Sequence, residues 1–409
     1  MSDKTYDKVK RDFLLELDYI SRIGQKIFIY PFIDRSRISL ICFRIICFLT
    51  FVTALQLCTT LYVTALTTSN RFELINIAPN LGVVLVTFVK FFKIHLSRTQ
   101  YKEIFEHYEN EFWTGVTESS LKIISQYTRI TKCVTRFLFY YCIPLIVVVN
   151  SFPRLVMFYE VHIAKKELQY LLPFDGWYPF DKIKWYYLIY LWETCMTILI
   201  IVIAGVTNSI HVAYTSFVCL ELKVMGYNIE NLVSSENVTN IVRRNDVIKT
   251  HAGINKLLRK IIKRHQLLAG MSCRFSTVLG DSMLLTYFFG SIFIGLTLFT
   301  ATVEDNMYRS VRYFFMCCSL VIDCFYQCMI GQVIRDHSEN LARSIYFADW
   351  PYADRNTKIN LIILMVRTQK PFQYTAKGFL SMNLDTFSAI CSHSFQLFNL
   401  IRQVYEKNK

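Results

Sequence analysis

Eight histidines, thirteen cysteines and 31 acidic residues are the raw material for catalysis or metal binding in this chain of 409 residues. Their spacing supports neither. His95, His107, His162, His211, His251, His265, His337 and His393 are far apart, and no HExxH pair occurs among them. Asp336, His337 and Ser338 are consecutive, but successive helical residues diverge in direction. They read as a solvated turn or helix end, not as a nucleophile with its base. No GxGxxG, GxxxxGK[ST] or GxSxG run is present, so the expectation is no enzyme, no metal and no cofactor. The cysteines form no CxxC pair and mostly sit inside apolar runs, where a free thiol packs as a small hydrophobe.

Charges inside apolar runs are the next candidates, because the membrane interior makes them costly. Arg44, Lys90 and Lys93 lie toward the ends of such runs, where a long side chain snorkels to water. Glu193 and Asp323 lie deeper, and are either a transporter's proton relay or local pairs facing a wet cavity. One late segment poses a sharper question. LDTFSAICSHSFQLFNLIRQV, Leu384–Val404, is long enough to cross a bilayer. It nevertheless carries Ser388, Ser392, His393, Ser394, Gln396, Asn399 and Gln403. Such a helix needs water or protein on one face.

The elements that position these residues follow from composition. Hydrophobic residues make up 53% and charged residues 19%, against about 25% charged in soluble domains. The apolar residues also cluster in long runs, which predicts an all-α membrane protein with seven transmembrane helices. The expected spans are Ile38–Leu66, Leu74–Leu96, Ile130–Tyr159, Trp185–His211, Ser276–Thr302, Arg309–Val333 and Asn383–Val404. The charged opening MSDKTYDKVKRDFLLELDYI has no early apolar core, so the first span is expected to double as the insertion signal.

Lys and Arg set the orientation. Residues 1–37, 98–136, 213–275 and 331–381 hold 31 of them, against 11 in 67–73, 154–184, 300–312 and 402–409. The basic side stays cytoplasmic, which puts the N-terminus inside and the C-terminus outside. The net charge of +14 is thereby a topology signal and gives no reason to expect nucleic acid. The sequon Asn237-Val-Thr239 falls on the expected cytoplasmic side. A G-protein-coupled receptor would have the opposite orientation, and neither its Asp-Arg-Tyr nor its Asn-Pro-x-x-Tyr signature occurs. Two amphipathic stripes lie on the cytoplasmic side: Ile254, Leu257, Leu258, Ile261 and Ile262, then Ile359, Ile362, Ile363 and Val366. They are expected to pack together as an anchor beneath the membrane, or else to lie on anionic lipid.

The resulting layout is a cytoplasmic segment (1–37), spans one to four (38–211), a helical anchor segment (212–275), spans five and six (276–333), further anchor helices (334–382), and the last span with an extracellular C-terminus (383–409).

Specific motifs carry a resemblance. SENLARSIYFADWP (Ser338–Pro351), INLIILMVRTQKPFQYTAKGF (Ile359–Phe379), LDTFSAICSHSF (Leu384–Phe395) and LLPFDGWYPFD (Leu171–Asp181) resemble the insect odorant receptor family. The resemblance implies a ligand-gated, non-selective cation channel: a heterotetramer of odorant-tuned subunits with a shared co-receptor, at the plasma membrane of an olfactory neuron's dendrite. The chain looks like a tuned subunit. It lacks the co-receptor's longer loop between spans four and five, and ends in Val-Tyr-Glu-Lys-Asn-Lys. Alignment on Leu384, Asp385 and Phe387 implies a hydrophobic gate at Leu400 with Gln403 and Val404 beside it, although Asn399 and Arg402 depart from the co-receptor's pattern.

The family's pocket lies in the outer half of the bundle and takes small apolar volatiles, so its walls should be aromatic and aliphatic with few polar groups. That implies Asn80 and Val84, Val149 and Phe152, Tyr190 and Thr194, Phe289, and Tyr313 and Met316 as ligand-binding residues. Trp177, Tyr178 and Phe180 either cap it or form an interfacial aromatic belt. A secondary transporter is the alternative reading, and a G-protein-coupled receptor a more distant one.

Overall fold

The computed structural model describes residues 2–28, 37–67, 72–163, 165, 170–174, 176–243, 247–304 and 306–407. Part of the expected N-terminal segment (29–36) and Asp175 of the loop motif therefore lie outside the described residues. The chain is almost wholly helical. Its elements are α1 (Ser2–Lys26), α2 (Arg37–Thr67), α3 (Phe72–Leu96), α4 (Arg98–Glu106), α5 (Leu121–His162), α6 (Tyr186–Glu230), α7 (Ser235–Val242), α8 (Val247–Val303), α9 (Met307–Phe347), α10 (Arg355–Thr368) and α11 (Leu384–Lys407). A two-residue antiparallel ribbon, Thr375–Ala376 with Leu380–Ser381, precedes α11.

Among the described residues six helices, α2, α3, α5, α6, α8 and α9, are long and apolar enough to cross a membrane. The expected seventh, α11, forms over 24 residues but does not join them. Its polar side chains, the ones that raised the question, hold its apolarity too low. At 1.5 Å rise per residue, the 57 residues of α8 reach about 85 Å, far beyond a hydrocarbon layer of about 30 Å. α6 and α9 overshoot similarly. The expected divisions at 211/212 and 275/276 thus fall inside unbroken helices.

The overshooting ends build a second bundle with α1, α4 and α10, and the largest core cluster sits there. Phe13 of α1, which the sequence showed only as part of a charged opening, stacks on Phe112 with centroids 5.6 Å apart and meets Phe217 at 5.0 Å. On α8, Ile254, Leu258 and Ile261 are buried as expected, but Leu257 is exposed. The expected stripe on α10 is corrected. Thr357, Leu361, Leu364 and Thr368 face α8 and α9, while Ile359, Ile362, Ile363 and Val366 are exposed. Two faces of α10 carry helical periodicity, and the Asp354 cap selects the inward one: its carboxylate accepts from the Thr357 backbone N–H at 3.2 Å and from Asn255 of α8 at 3.1 Å.

Asp336, His337 and Ser338 lie within α9, not at a turn or helix end. Their side chains do diverge. Asp336 accepts from Gln332 at 2.7 Å, the His337 ring meets the Tyr127 hydroxyl at 2.6 Å, and buried Ser338 accepts from the Phe372 backbone at 3.0 Å. All thirteen cysteines are free.

Candidate functional site

Two adjoining cavities run into the helix bundle from the end covered by the 170–181 loop. The one nearer the loop has a volume of about 80 Å³ and is lined by α3, α5, α6, α9 and the loop residues Pro173 and Phe174. The deeper one, of about 120 Å³, continues between α3, α5, α6, α8 and α9. Val83, Leu145, Ile200, Ile201 and Ser319 line both, so these side chains form the partition. The walls are mainly aliphatic and aromatic because α3, α5 and α6 turn their Val, Leu and Ile positions inward at this level. Gly82 permits the deeper shape: a Cβ there would overlap the Phe293 ring, which lies against α3 and lines the cavity.

The loop is held over this end by a carboxylate. Glu193 accepts from the Phe174 backbone N–H at 2.7 Å, from Gly176 N–H at 3.3 Å and from the Tyr178 hydroxyl at 2.9 Å. A second tether runs from the Trp177 N–H to Thr60 of α2 at 2.9 Å. Of the two sequence readings for Glu193, the geometry matches local pairing.

Sequence reading placed nine residues at this site, and the structure gathers five of them on the cavity walls. Asn80, Val84, Val149 and Met316 line the loop-end cavity, and Phe289 lines the deeper one. The other four stand outside both linings. Phe152 packs on Tyr308 at 6.1 Å. The Tyr190 hydroxyl donates to the Asn150 carbonyl, Thr194 is half-buried one turn away, and buried Tyr313 accepts from Arg312 at 2.9 Å. Trp177 and Phe180 are exposed; Pro173 and Phe174 reach the cavity instead.

The floor of the deeper cavity overturns one expectation. Lys90 does not snorkel: it is 3% exposed, and its Nζ donates to both Asp323 carboxylate oxygens at 2.9 Å and to Asn208 Oδ1 at 3.3 Å. Asn208 Nδ2 and Gln327 Nε2 each donate to Asp323 at 2.9 Å. A desolvated ion pair persists only when the remaining lone pairs and protons are satisfied, and this network satisfies them with residues from α3, α6 and α9. Lys93 likewise pairs with Asp281 of α8. Arg312 was not singled out from the sequence. It is buried at the loop end, donating to the Pro173 carbonyl at 2.7 Å. The usable signal was a basic residue six positions into a helix, directly ahead of the apolar run Tyr313–Cys318.

The remaining candidates lie on α11, which is amphipathic in an unusual sense. Ile390, Ser394 and Phe398 are buried against α8 and α9, with Phe387 on Phe325 at 5.3 Å. On the opposite face Ser388, Ser392, Gln396, Leu400 and Gln403 recur every three or four residues, and all are exposed. Leu400 is 58% exposed and Val404 48%. Arg402 bonds Glu406 at 2.9 Å along the helix. α11 sits close on α8 because of Gly295, where a Cβ would come within 2.8 Å of the Ser394 carbonyl and 3.3 Å of Leu397.

Away from the cavities, His107 sits in the second bundle between Glu221 at 3.0 Å and Glu111 at 3.1 Å. Burial works against its protonation, but the two carboxylates outweigh it and raise its pKa above the usual 6.5. Arg264 completes the cluster on Glu221 and donates to the Phe112 carbonyl at 2.7 Å. Among the described residues no group of three or more His, Cys, Asp or Glu could hold a metal ion.

Comparison with known proteins agrees with this architecture. A model of the 7tm odorant receptor family matches residues 73–395. Odorant receptor 49a of Drosophila melanogaster is 28% identical over 150 residues, which is 37% of this chain. The alignments span only 38% of the length of that receptor and of odorant receptor 85f. Odorant receptor 85c of the same fly is 20% identical over 341 residues, covering 82% of this chain and 84% of that protein. The olfactory receptor OR5 of Machilis hrabei has the same fold: TM-score 0.78 at 16% identity, over 96% of this chain and 100% of that one. OR5 has also been solved in complex with eugenol. With a family model spanning most of its length, this multi-span membrane protein belongs to the 7tm odorant receptor family, that of the insect odorant receptors.

Proposed function

We propose that the chain is the odorant-tuned subunit of a heteromeric, odorant-gated, non-selective cation channel in the plasma membrane, with a small volatile binding between the helices and α11 lining the pore. The observation that carries this reading is the exposed face of α11. A helix docked on α8 and α9 by Ile390 and Phe398 leaves Ser388, Ser392, Gln396 and Gln403 exposed beside two helices apolar enough to cross a membrane. Polar side chains there require water or protein, and a pore at a subunit junction supplies water. Leu400 on the same face is the proposed closed gate, with Gln403 and Val404 beside it, because an apolar ring blocks ions by dewetting.

The ligand reading rests on the mainly apolar cavities bounded by Asn80, Val84, Val149, Met316 and Phe289. Phe152, Tyr190, Thr194 and Tyr313 act from behind the wall. The partner is a co-receptor subunit in a heterotetramer, and the exposed Ile359, Ile362, Ile363 and Val366 of α10 suit burial against it, with the N-terminus and the anchor bundle cytoplasmic and the C-terminus extracellular. Within that layout, segments 1–37, 212–275 and 334–382 are cytoplasmic, 38–211 and 276–333 hold spans one to six, and 383–409 supplies the pore helix. An olfactory neuron's dendrite is the corresponding cellular site.

The test is co-expression with a co-receptor and a panel of volatiles, read as current. A volatile-evoked cation current that persists with G-protein signalling blocked is expected. Saturable solute uptake with no current to any volatile would favour a transporter and contradict the proposal.

A further inference from the structure

The loop-end cavity has one polar feature that its apolar walls do not explain. Asn80 is 7% exposed, lines the cavity, and its Nδ2 has no hydrogen-bond partner among the described residues. Leaving a buried amide donor unmade is costly, and buried polar groups in folded proteins are nearly always paired. Two other polar side chains on this wall bond along their own helices. Thr197 Oγ donates to the Glu193 carbonyl at 2.7 Å, and Ser319 Oγ to the Met316 carbonyl at 2.8 Å, each along its own helix. Arg312 donates to the loop carbonyls and to Tyr313, and a guanidinium has no acceptor to offer. The group left to be matched on this wall is therefore the Asn80 carboxamide, with its Nδ2 the buried donor that has no partner.

Resting on the receptor reading above, we propose that the occupant of this cavity is a mainly apolar molecule carrying one compact hydrogen-bond acceptor, a carbonyl or ether oxygen, and that the Asn80 carboxamide donates to it. The apolar body lies along Val84, Val149, Ile200 and Met316 and extends past the shared partition toward Phe289. An apolar cavity of about 150 Å³ takes benzene, and these adjoining cavities of about 80 and about 120 Å³ are of that scale. At the deep end the Lys90 and Asp323 charges are already paired with each other and bonded to Asn208 and Gln327.

The experiment records dose–response currents from the chain co-expressed with a co-receptor, using pairs matched in shape and differing in the acceptor. The probes are acetophenone against cumene, anisole against ethylbenzene, and methyl ketones against the branched alkanes isosteric with them. The wild type should respond to the oxygenated member at concentrations roughly tenfold lower, the scale of one neutral hydrogen bond. Asn80→Leu, close in size but without the donor, should abolish that ratio while hydrocarbon-evoked currents remain measurable. A retained hydrocarbon response shows that the variant folds and reaches the membrane. Val84→Ala, which alters the wall and keeps the amide, should shift both members of each pair together.

Equal potency within pairs in the wild type, or a ratio that survives Asn80→Leu, overturns the acceptor assignment and leaves the receptor reading standing. Loss of every response in Asn80→Leu despite normal surface labelling also overturns it, because a donor alone cannot account for that. Silence of the wild type to every volatile overturns the receptor reading, and this inference with it.

Discussion

Lys90 and Asp323 hold opposite charges 2.9 Å apart beneath the cavities, and truncating either strands the other. Lys90→Met alone is expected to cost about 3–5 kcal/mol, seen as lowered surface expression and a lower melting temperature in detergent. Lys90→Met with Asp323→Leu should recover most of that loss; if the double variant is as unstable as the single one, the pair is not what holds α3 to α9. His107 gives a pH signature. Its pKa is raised, so the contribution to stability is fully present below about pH 6.5 and is lost as pH climbs through the folded-state value. The detergent-solubilised protein should melt at lower temperature as pH rises above about 6.5, and His107→Gln should flatten the dependence. An unchanged slope in that variant would contradict the assignment. At this scale the sequence was legible where one environment dominates. Asn80, Val84, Val149 and Met316 sit on apolar helices and line one cavity. Lys90 was misread because snorkelling and burial differ only in whether a partner on another helix is near, and Asp323 is 233 positions away.

The elements repeat that lesson. Helix boundaries for α2, α3 and α11 were readable to within a few residues, since twenty apolar residues or a capping cluster mark them locally. The continuation of α6 and α8 through their expected divisions was not, because nothing in the helical periodicity marks the membrane surface. α10 shows how two faces compete: four β-branched residues, Ile359, Ile362, Ile363 and Val366, looked like the core, yet Leu361 and Leu364 are inside. The cap decides, and Asp354→Ala should destabilise α10 by about 1 kcal/mol, measurable as faster amide exchange over 355–368. Gly295 is where α11 meets α8 most closely. Gly295→Val must push α11 outward, with altered basal current or block expected; conduction identical to wild type would mean the contact does not set the pore helix.

For the whole molecule, the sequence conveyed the helical membrane class, and the loop and C-terminal motifs conveyed the family. The N-terminal helix with Phe13 in the core was hidden, because its apolar positions are spread among charges and find their partners only in the second bundle. The polar side chains of α11 are why six helices among the described residues are long and apolar enough to cross a membrane where seven were expected. α11 is the helix the single chain leaves half-dressed: its polar face is incomplete until neighbours surround it. The central claim, that this face lines a gated pore, is most directly tested by single cysteines at Gln396 and Gln403 in the co-expressed channel. A small charged thiol reagent applied from outside is read against the wild-type background of free cysteines. Volatile-evoked current through Gln403→Cys should be blocked by the reagent with or without ligand, and current through Gln396→Cys only while ligand holds the Leu400 gate open. Equal, ligand-independent protection of both positions, with currents unaltered, would contradict the account.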